Sequence, residues 1–327
     1  MNKILSVAMR PTTLSGLFGQ EKIVEAIRNH VATRPPRVWL FSGDPGCGKT
    51  TIAKIMSLAY QCTHQKLWGD PCKDCRTQTW AIHEVNAAEH SGIEEVERLI
   101  HIADHRPLAG QKRVLILDEC QNFSASAWKA LLKPTEETPE HAVWIFCTSE
   151  LRKVPAANQR RPVKYALRSL NINETEAFLR NAAQVAKVTQ PLQPLFDIVH
   201  QMEVTSPGVL LQALEKYSVG CAPDECVVGV DGAKIDTYNL CKALTSGNWS
   251  KTASYLREAT PDHARLIRAF VASWLKGGLT KMKLTPKAQE AAALGLIDLA
   301  NAPYDDGAIL FWLHGVLWKI CNRYNRA

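Results

Sequence analysis

The run Gly43-Asp44-Pro45-Gly46-Cys47-Gly48-Lys49-Thr50 matches G-x-x-x-x-G-K-T and is followed by a second threonine, Thr51. It restricts the surrounding fold more than any other stretch of the chain. Such a loop works only where a strand delivers it and a helix leaves it. Its glycines let the backbone close around phosphate oxygens, and the first N–H groups of the helix point at the anion. Both flanks fit: Val38 to Phe41 is an apolar run, and Ile52, Ile55, Met56 and Ala59 recur at helical spacing on one face. The segment predicts a nucleoside triphosphate site in which Lys49 reaches the β- and γ-phosphates and Thr50 holds Mg²⁺.

The pattern around it is α/β. Strands are expected at Val38 to Ser42, Ile82 to Asn86, Arg113 to Asp118, Val143 to Thr148 and Val163 to Leu167, alternating with helical stretches. Such alternation favours a parallel sheet that binds ligands at the carboxyl ends of its strands. From Asn171 the strand pattern stops. Asn173-Glu174-Thr175-Glu176 opens a helix, helical patterns run to about Tyr217, and Gly220 to Gly232 reads as a linker or irregular loop. Asp236 to Arg323 is helical throughout, with one stripe of Ile267, Phe270, Val271 and Trp274 and another of Ile309, Leu313, Val316, Leu317 and Ile320. Leu310, Phe311 and Trp312 widen the second stripe, which predicts a helix either deeply buried or packed against another chain.

Composition excludes little else. At 327 residues, 46% hydrophobic and 22% charged, the chain is globular with room for two or three domains. It has no apolar run of the roughly 18 residues a membrane span needs, and its start lacks a signal-peptide core, so a cytoplasmic location is expected. The net charge of +7 suits a polyanionic partner but also an ordinary solvated surface. The ten cysteines are scattered, several in apparent core segments (Cys47, Cys120, Cys147, Cys321), as reduced thiols used as small apolar residues would be.

Val114-Leu115-Ile116-Leu117-Asp118-Glu119 is an apolar strand that ends in two carboxylates. With a P-loop upstream their jobs separate: Asp118 completes the shell of the Mg²⁺ on Thr50, and Glu119 orients and deprotonates the water that attacks the γ-phosphate. A third strand ends at Thr148-Ser149, where a hydroxyl can sense that phosphate.

These residues resemble the clamp-loader branch of the AAA+ ATPases, above all the bacterial DNA polymerase III gamma/tau subunit and, more loosely, phage and replication factor C small subunits. The resemblance covers about residues 9 to 215 and includes Met9-Arg10-Pro11, Leu17-Phe18-Gly19-Gln20, Asn86-Ala87-Ala88, Asp118-Glu119-Cys120 and Ala130-Leu131-Leu132-Lys133 with Glu136-Glu137. It implies a P-loop AAA+ domain over 1–168, a helical lid over 169–222 and an all-α collar over 223–327. Arg10 and Pro11 would lie beside the adenine, Thr148 would be sensor 1, and Arg161 would be an arginine finger serving the neighbouring subunit's ATP, with Arg160 its rival. Where the family carries its sensor 2 arginine this chain has Leu211, so lid coupling is expected to be weaker.

The resemblance also implies a zinc module, here an insertion over 61–80. Cys62, Cys72 and Cys75 match three of its ligands and Gln78 falls at the fourth. Amides are poor zinc ligands. His64 or His83 could complete the set, and His64 is preferred because His83 lies in a predicted strand. Arg98, His101, Arg106 and Lys112 lie where the family touches DNA phosphates, and Lys133 lies where it touches neighbouring subunits, on a helix that Pro134 should interrupt, with Trp128, Leu131 and Leu132 on its buried side.

The implied function is an ATPase motor subunit of a sliding-clamp loader. Its cofactors would be ATP, Mg²⁺ and zinc. Its partners would be other loader subunits in a ring or spiral, expected as a pentamer, together with the clamp and primer-template DNA read without sequence preference. The chain ends after one helical region, as a phage or minimal loader would. Two rivals remain: a nucleotide-binding subunit that does not hydrolyse, and another AAA+ DNA motor such as a branch-migration helicase, which should carry a winged helix at its C-terminus.

Overall fold

The computed structural model describes residues 5–77, 79–107, 112–201, 204–227, 237–257, 259, 261–281, 284–301 and 306–326. It divides into two compact units. One comprises Met1–Phe178 with Ser206–Gly208, the other Leu179–Thr205 with Val209–Ala327.

The first unit is built on five strands, β1 (Val38–Ser42), β2 (Ile82–Asn86), β3 (Arg113–Asp118), β4 (Ala142–Thr148) and β5 (Val163–Ala166). They pair in parallel in the order β2-β3-β4-β1-β5. Helices cover both faces, so the central strands read as continuous apolar runs rather than as alternating ones. Strand pleating sends Leu115 and Leu117 to one side, against Val96, Leu99 and Trp128. Val114 and Ile116 go to the other, against Ile52, Ile55 and Met56 of the helix that follows the P-loop. Trp39, Phe41 and Tyr165 stack beside them.

Every strand lies within a residue of its predicted bounds. Pro134 has the expected effect: it lacks an N–H and its ring clashes with the carbonyl four residues back, so one helix ends at Ala130 and another spans Leu132–Glu136. The break changes which side chains face inward. Trp128 and Leu131 are buried as predicted, whereas Leu132 is exposed.

The second unit is helical. Its helices include Gln193–Gln201, Thr237–Thr245, Trp249–Leu256, Pro261–Lys281, Pro286–Ala300 and Asp306–Asn325. Both predicted stripes contribute to its core. Ile267 and Val271 are buried while Trp274 is partly so, and Ile309, Leu313, Val316, Leu317 and Ile320 are all buried. Gly295 lets two helices approach closely, since a Cβ there would lie 2.9 Å from Leu275. Phe311, by contrast, is 83% exposed and Trp318 50%. The last helix is therefore not enclosed on all sides by its own chain. Among its described residues, the stretch read as an irregular linker carries a helical piece, Pro223–Val227, begun by a proline whose missing N–H would have had no partner there.

Candidate active site

The P-loop runs from the end of β1 into the helix Lys49–Gln61. Gly48 caps that helix at φ 103°, a left-handed conformation that only glycine adopts without strain. At Gly43 a Cβ would lie 2.4 Å from the Leu167 carbonyl oxygen, so the loop can turn there only without a side chain. Lys49 is buried, and its ammonium donates to the carbonyls of Gly43 at 2.8 Å and Asp44 at 3.0 Å. Asp44, Pro45 and Gly46 are exposed, and Thr51 is half-buried. Cys47 is different: its side chain belongs to the core, and burial pushes its thiol up, which makes it a packing residue.

The carboxyl ends of β3 and β4 bring the other parts to this loop. Asp118 accepts a 2.7 Å hydrogen bond from the Thr50 hydroxyl, across 68 residues of sequence. Adjacent oxygens of an octahedral Mg²⁺ shell, each about 2.1 Å from the ion, stand about 3 Å apart, so this pair suits one hard cation. Glu119 follows in the left-handed region at φ 47°, ψ 40°. A non-glycine residue there is sparsely populated and strained, a feature that clusters at functional sites.

The Glu119 carboxylate is not free. Gln121 donates to its Oε2 through Nε2, and Ser149 donates to the same oxygen at 3.1 Å. Gln121 also donates to the Ser149 hydroxyl at 2.8 Å and accepts from the Thr148 hydroxyl at 2.8 Å. Thr148 is fully buried at the end of β4, and its oxygen accepts from the Glu150 N–H. Gln121 was not singled out from sequence. Its only signal there is an amide two residues after the paired carboxylates.

Two segments lie against the site within the same unit. Ser206 donates to the Pro45 carbonyl at 3.2 Å, and a Cβ on Gly46 would meet the Ser206 hydroxyl at 2.3 Å. The opening segment is fastened to the chain after β5: Phe18 packs on Phe178 with ring centroids 5.6 Å apart, and Gln20 donates to the Arg168 carbonyl at 2.6 Å. Arg10 is exposed, Pro11 is half-buried, and no hydrogen bond ties either to the P-loop. Leu211 is buried in the helix Pro207–Ser218.

Arg161 is elsewhere. It precedes β5, at the amino ends of the parallel strands, whereas the P-loop leaves β1 at its carboxyl end. Five residues of strand span about 17 Å, so Arg161 does not serve its own chain's P-loop. It pairs with Glu136 and lines a cleft with His30, Arg34, Arg37 and Lys112. Arg160 is exposed and has no ion pair among the described residues.

The inserted segment gathers Cys62, His64, Cys72 and Cys75 so that their ligand atoms all lie within 4.8 Å of one another. Cys75 Sγ and His64 Nδ1 are 3.6 Å apart, close to the roughly 3.5 Å expected of two ligands on one tetrahedral zinc. The Cys75 N–H donates to the Cys72 sulfur and holds that thiol below its usual range. His83 lies on β2 against Arg113, away from this group, and Gln78 falls outside the described residues. Among the basic residues considered for DNA, Arg98 pairs with Glu95 and Lys112 donates to the Glu140 carbonyl. The His101 ring lies 4.5 Å from that of His105, and Arg106 is exposed.

The family described as DNA polymerase III, delta subunit matches residues 19–170. The DNA polymerase III subunit tau of Bacillus subtilis is 33% identical over 91% of this chain and 58% of its own length. The DNA polymerase III subunit gamma of Buchnera aphidicola is 30% identical over 66% of this chain and 60% of its own. The chain thus spans somewhat more than half the length of these relatives. Among solved structures, the RuvB Holliday junction branch migration motor of Thermotoga maritima superposes with TM-score 0.50 at 16% identity, over 75% of this chain and 85% of that one. That likeness concerns the fold alone. Among the described residues no helix is long and apolar enough to cross a membrane, and every strand belongs to the one sheet.

Proposed function

We propose that this chain, which is similar to DNA polymerase III gamma and tau subunits, is an AAA+ ATPase motor subunit of a sliding-clamp loader. ATP binding would hold an open sliding clamp on primer-template DNA, and hydrolysis would release it. The observation that carries this reading is the contact of Thr50 with Asp118, with Glu119 next in sequence: the parts of a hydrolytic site converge on one loop.

In this reading the P-loop N–H groups and Lys49 bind the phosphates, and Thr50 and Asp118 hold Mg²⁺, which neutralises charge on the phosphate oxygens. Glu119 accepts a proton from water as its oxygen attacks the γ-phosphorus. The bond to the β–γ bridging oxygen breaks, leaving ADP and phosphate. Thr148 reads the γ-phosphate. Arg161 acts on the nucleotide of the adjacent subunit, which its place at the amino ends of the strands, opposite its own P-loop, favours. Residues 169–222 serve as the lid and 223–327 as the oligomerising collar, where exposed Phe311 and Trp318 suit a subunit contact. Leu211 in place of a lid arginine leaves nucleotide weakly coupled to lid position. Cys62, His64, Cys72 and Cys75 hold a structural zinc.

The test is the ATPase rate of the purified chain alone, with its cognate clamp, and with clamp and primer-template DNA together. Stimulation by both together is expected. A rate indifferent to the clamp favours another AAA+ motor, and no turnover in any condition favours a nucleotide-binding structural subunit.

A further inference from the structure

We propose that Gln121 is a positioning residue of the hydrolytic site, an amide relay that ties the general base Glu119 to the γ-phosphate sensor Thr148. The proposal rests on the ATPase reading above. One side chain does the joining: its Nε2 donates to Glu119 and Ser149 while its Oε1 accepts from Thr148.

The proton assignments are consistent throughout. Ser149 spends its single proton on Glu119 and accepts from Gln121. Thr148 spends its proton on Gln121 and accepts from the Glu150 N–H. Glu119 Oε2 thus takes two donors, and no hydrogen bond from the described residues reaches Oε1. Thr148 has only one proton to give, so turning it toward a phosphate oxygen takes it from Gln121 Oε1 and alters the hold on Glu119. Occupancy of the γ-phosphate position is in this way transmitted to the base.

No other described side chain does this work. Asn86, on the strand beside β3, has its amide committed to the Ala88 N–H at 3.1 Å and to Glu89 at 3.1 Å. Gln121 itself is half-buried in the turn Cys120–Asn122, so packing does not account for it. An amide is also the side chain the role requires, because it donates and accepts at once. Methionine matches its shape without the donors, and glutamate would place like charge against Glu119.

The experiment compares wild type, Gln121→Met, Thr148→Val and the double variant as full chains with cognate clamp and primer-template DNA, measuring kcat, nucleotide Kd and Tm. Gln121→Met should lower kcat by about 100-fold, the cost of a misplaced reacting group, with Kd and Tm unchanged. The double variant should be no slower than the slower single, because both break one relay. Wild-type kcat in Gln121→Met, or losses that multiply in the double variant, would overturn the relay alone. Absence of turnover in wild type overturns the ATPase reading and the relay with it. Should Gln121→Met fail to fold, Ser149→Ala removes the other donor on Glu119, and unchanged kcat there overturns the proposal.

Discussion

The Thr50 hydroxyl and the Asp118 carboxylate meet at 2.7 Å although 68 residues separate them. The contact places a hydroxyl from the helix after the P-loop and a carboxylate from the end of β3 where one small cation satisfies both. Asp118→Asn should therefore weaken Mg²⁺-dependent ATP binding by about 10- to 100-fold and leave metal-free binding nearly unchanged. Calorimetry with and without Mg²⁺ checks this.

Glu119→Gln keeps the size of the side chain and removes the proposed base. Nucleotide affinity should hold while turnover falls by about 100- to 10,000-fold. Hydrolysis at the wild-type rate would move the base elsewhere.

Arg161 and Glu136 form an ion pair at the end of the sheet opposite the P-loop. Arg161→Ala should leave ATP binding and Tm of the isolated chain unchanged. In the assembled loader, turnover should fall by about 1,000-fold or more if the guanidinium completes a neighbour's site. Mixing the variant with a hydrolysis-dead, finger-intact Glu119→Gln chain should restore turnover at the mixed interfaces. Failure to restore it would count against action in trans.

The four clustered ligands of the insertion predict one zinc per purified chain by elemental analysis. Cys75→Ser or His64→Ala should reduce that content. Acidification should release the metal, because thiolate and imidazole ligands must lose their protons to bind. A wild-type chain free of zinc after preparation in zinc-containing buffer would refute the site.

Glu174 carries a pH signature. Its carboxylate accepts from Arg168 and from the Asn171 N–H, and its own N–H donates to Asn171 Oδ1, a reciprocal cap that starts the helix Ile172–Ala186. The Arg168 guanidinium is the main cause holding this carboxyl down to about 2. A pKa depressed on folding stabilises above the unfolded value, near 4.5, and the gain is lost as pH falls toward 2. The pair is partly exposed, so the effect should be about 1 kcal/mol or less. Glu174→Gln should flatten that part of the stability–pH curve, measured by denaturant melts from pH 5 to 2.

Much of the first unit was legible because its signals are local. A P-loop has fixed flanks, buried parallel strands read as short apolar runs, and paired carboxylates end one of them. Less local features were harder to read. Leu132 looked apolar and inward, yet Pro134 four residues after Ala130 broke the helix and turned it outward. Gln121 carries no motif, because its role depends on β4 bringing Thr148 and Ser149 beside the turn after β3.

The sequence by itself determined the P-loop, the strand and helix alternation, and the residue types able to bind phosphate, Mg²⁺ and zinc, since each follows from spacing within a few residues. Only the tertiary structure decided which distant groups meet: Thr50 with Asp118, His64 with the three cysteines, Gln121 with Glu119 and Thr148, and Arg161 at the end of the sheet opposite the P-loop. The reason is the order β2-β3-β4-β1-β5. It makes neighbours of strands that are not consecutive in the chain, and no local pattern records which strand ends will lie side by side.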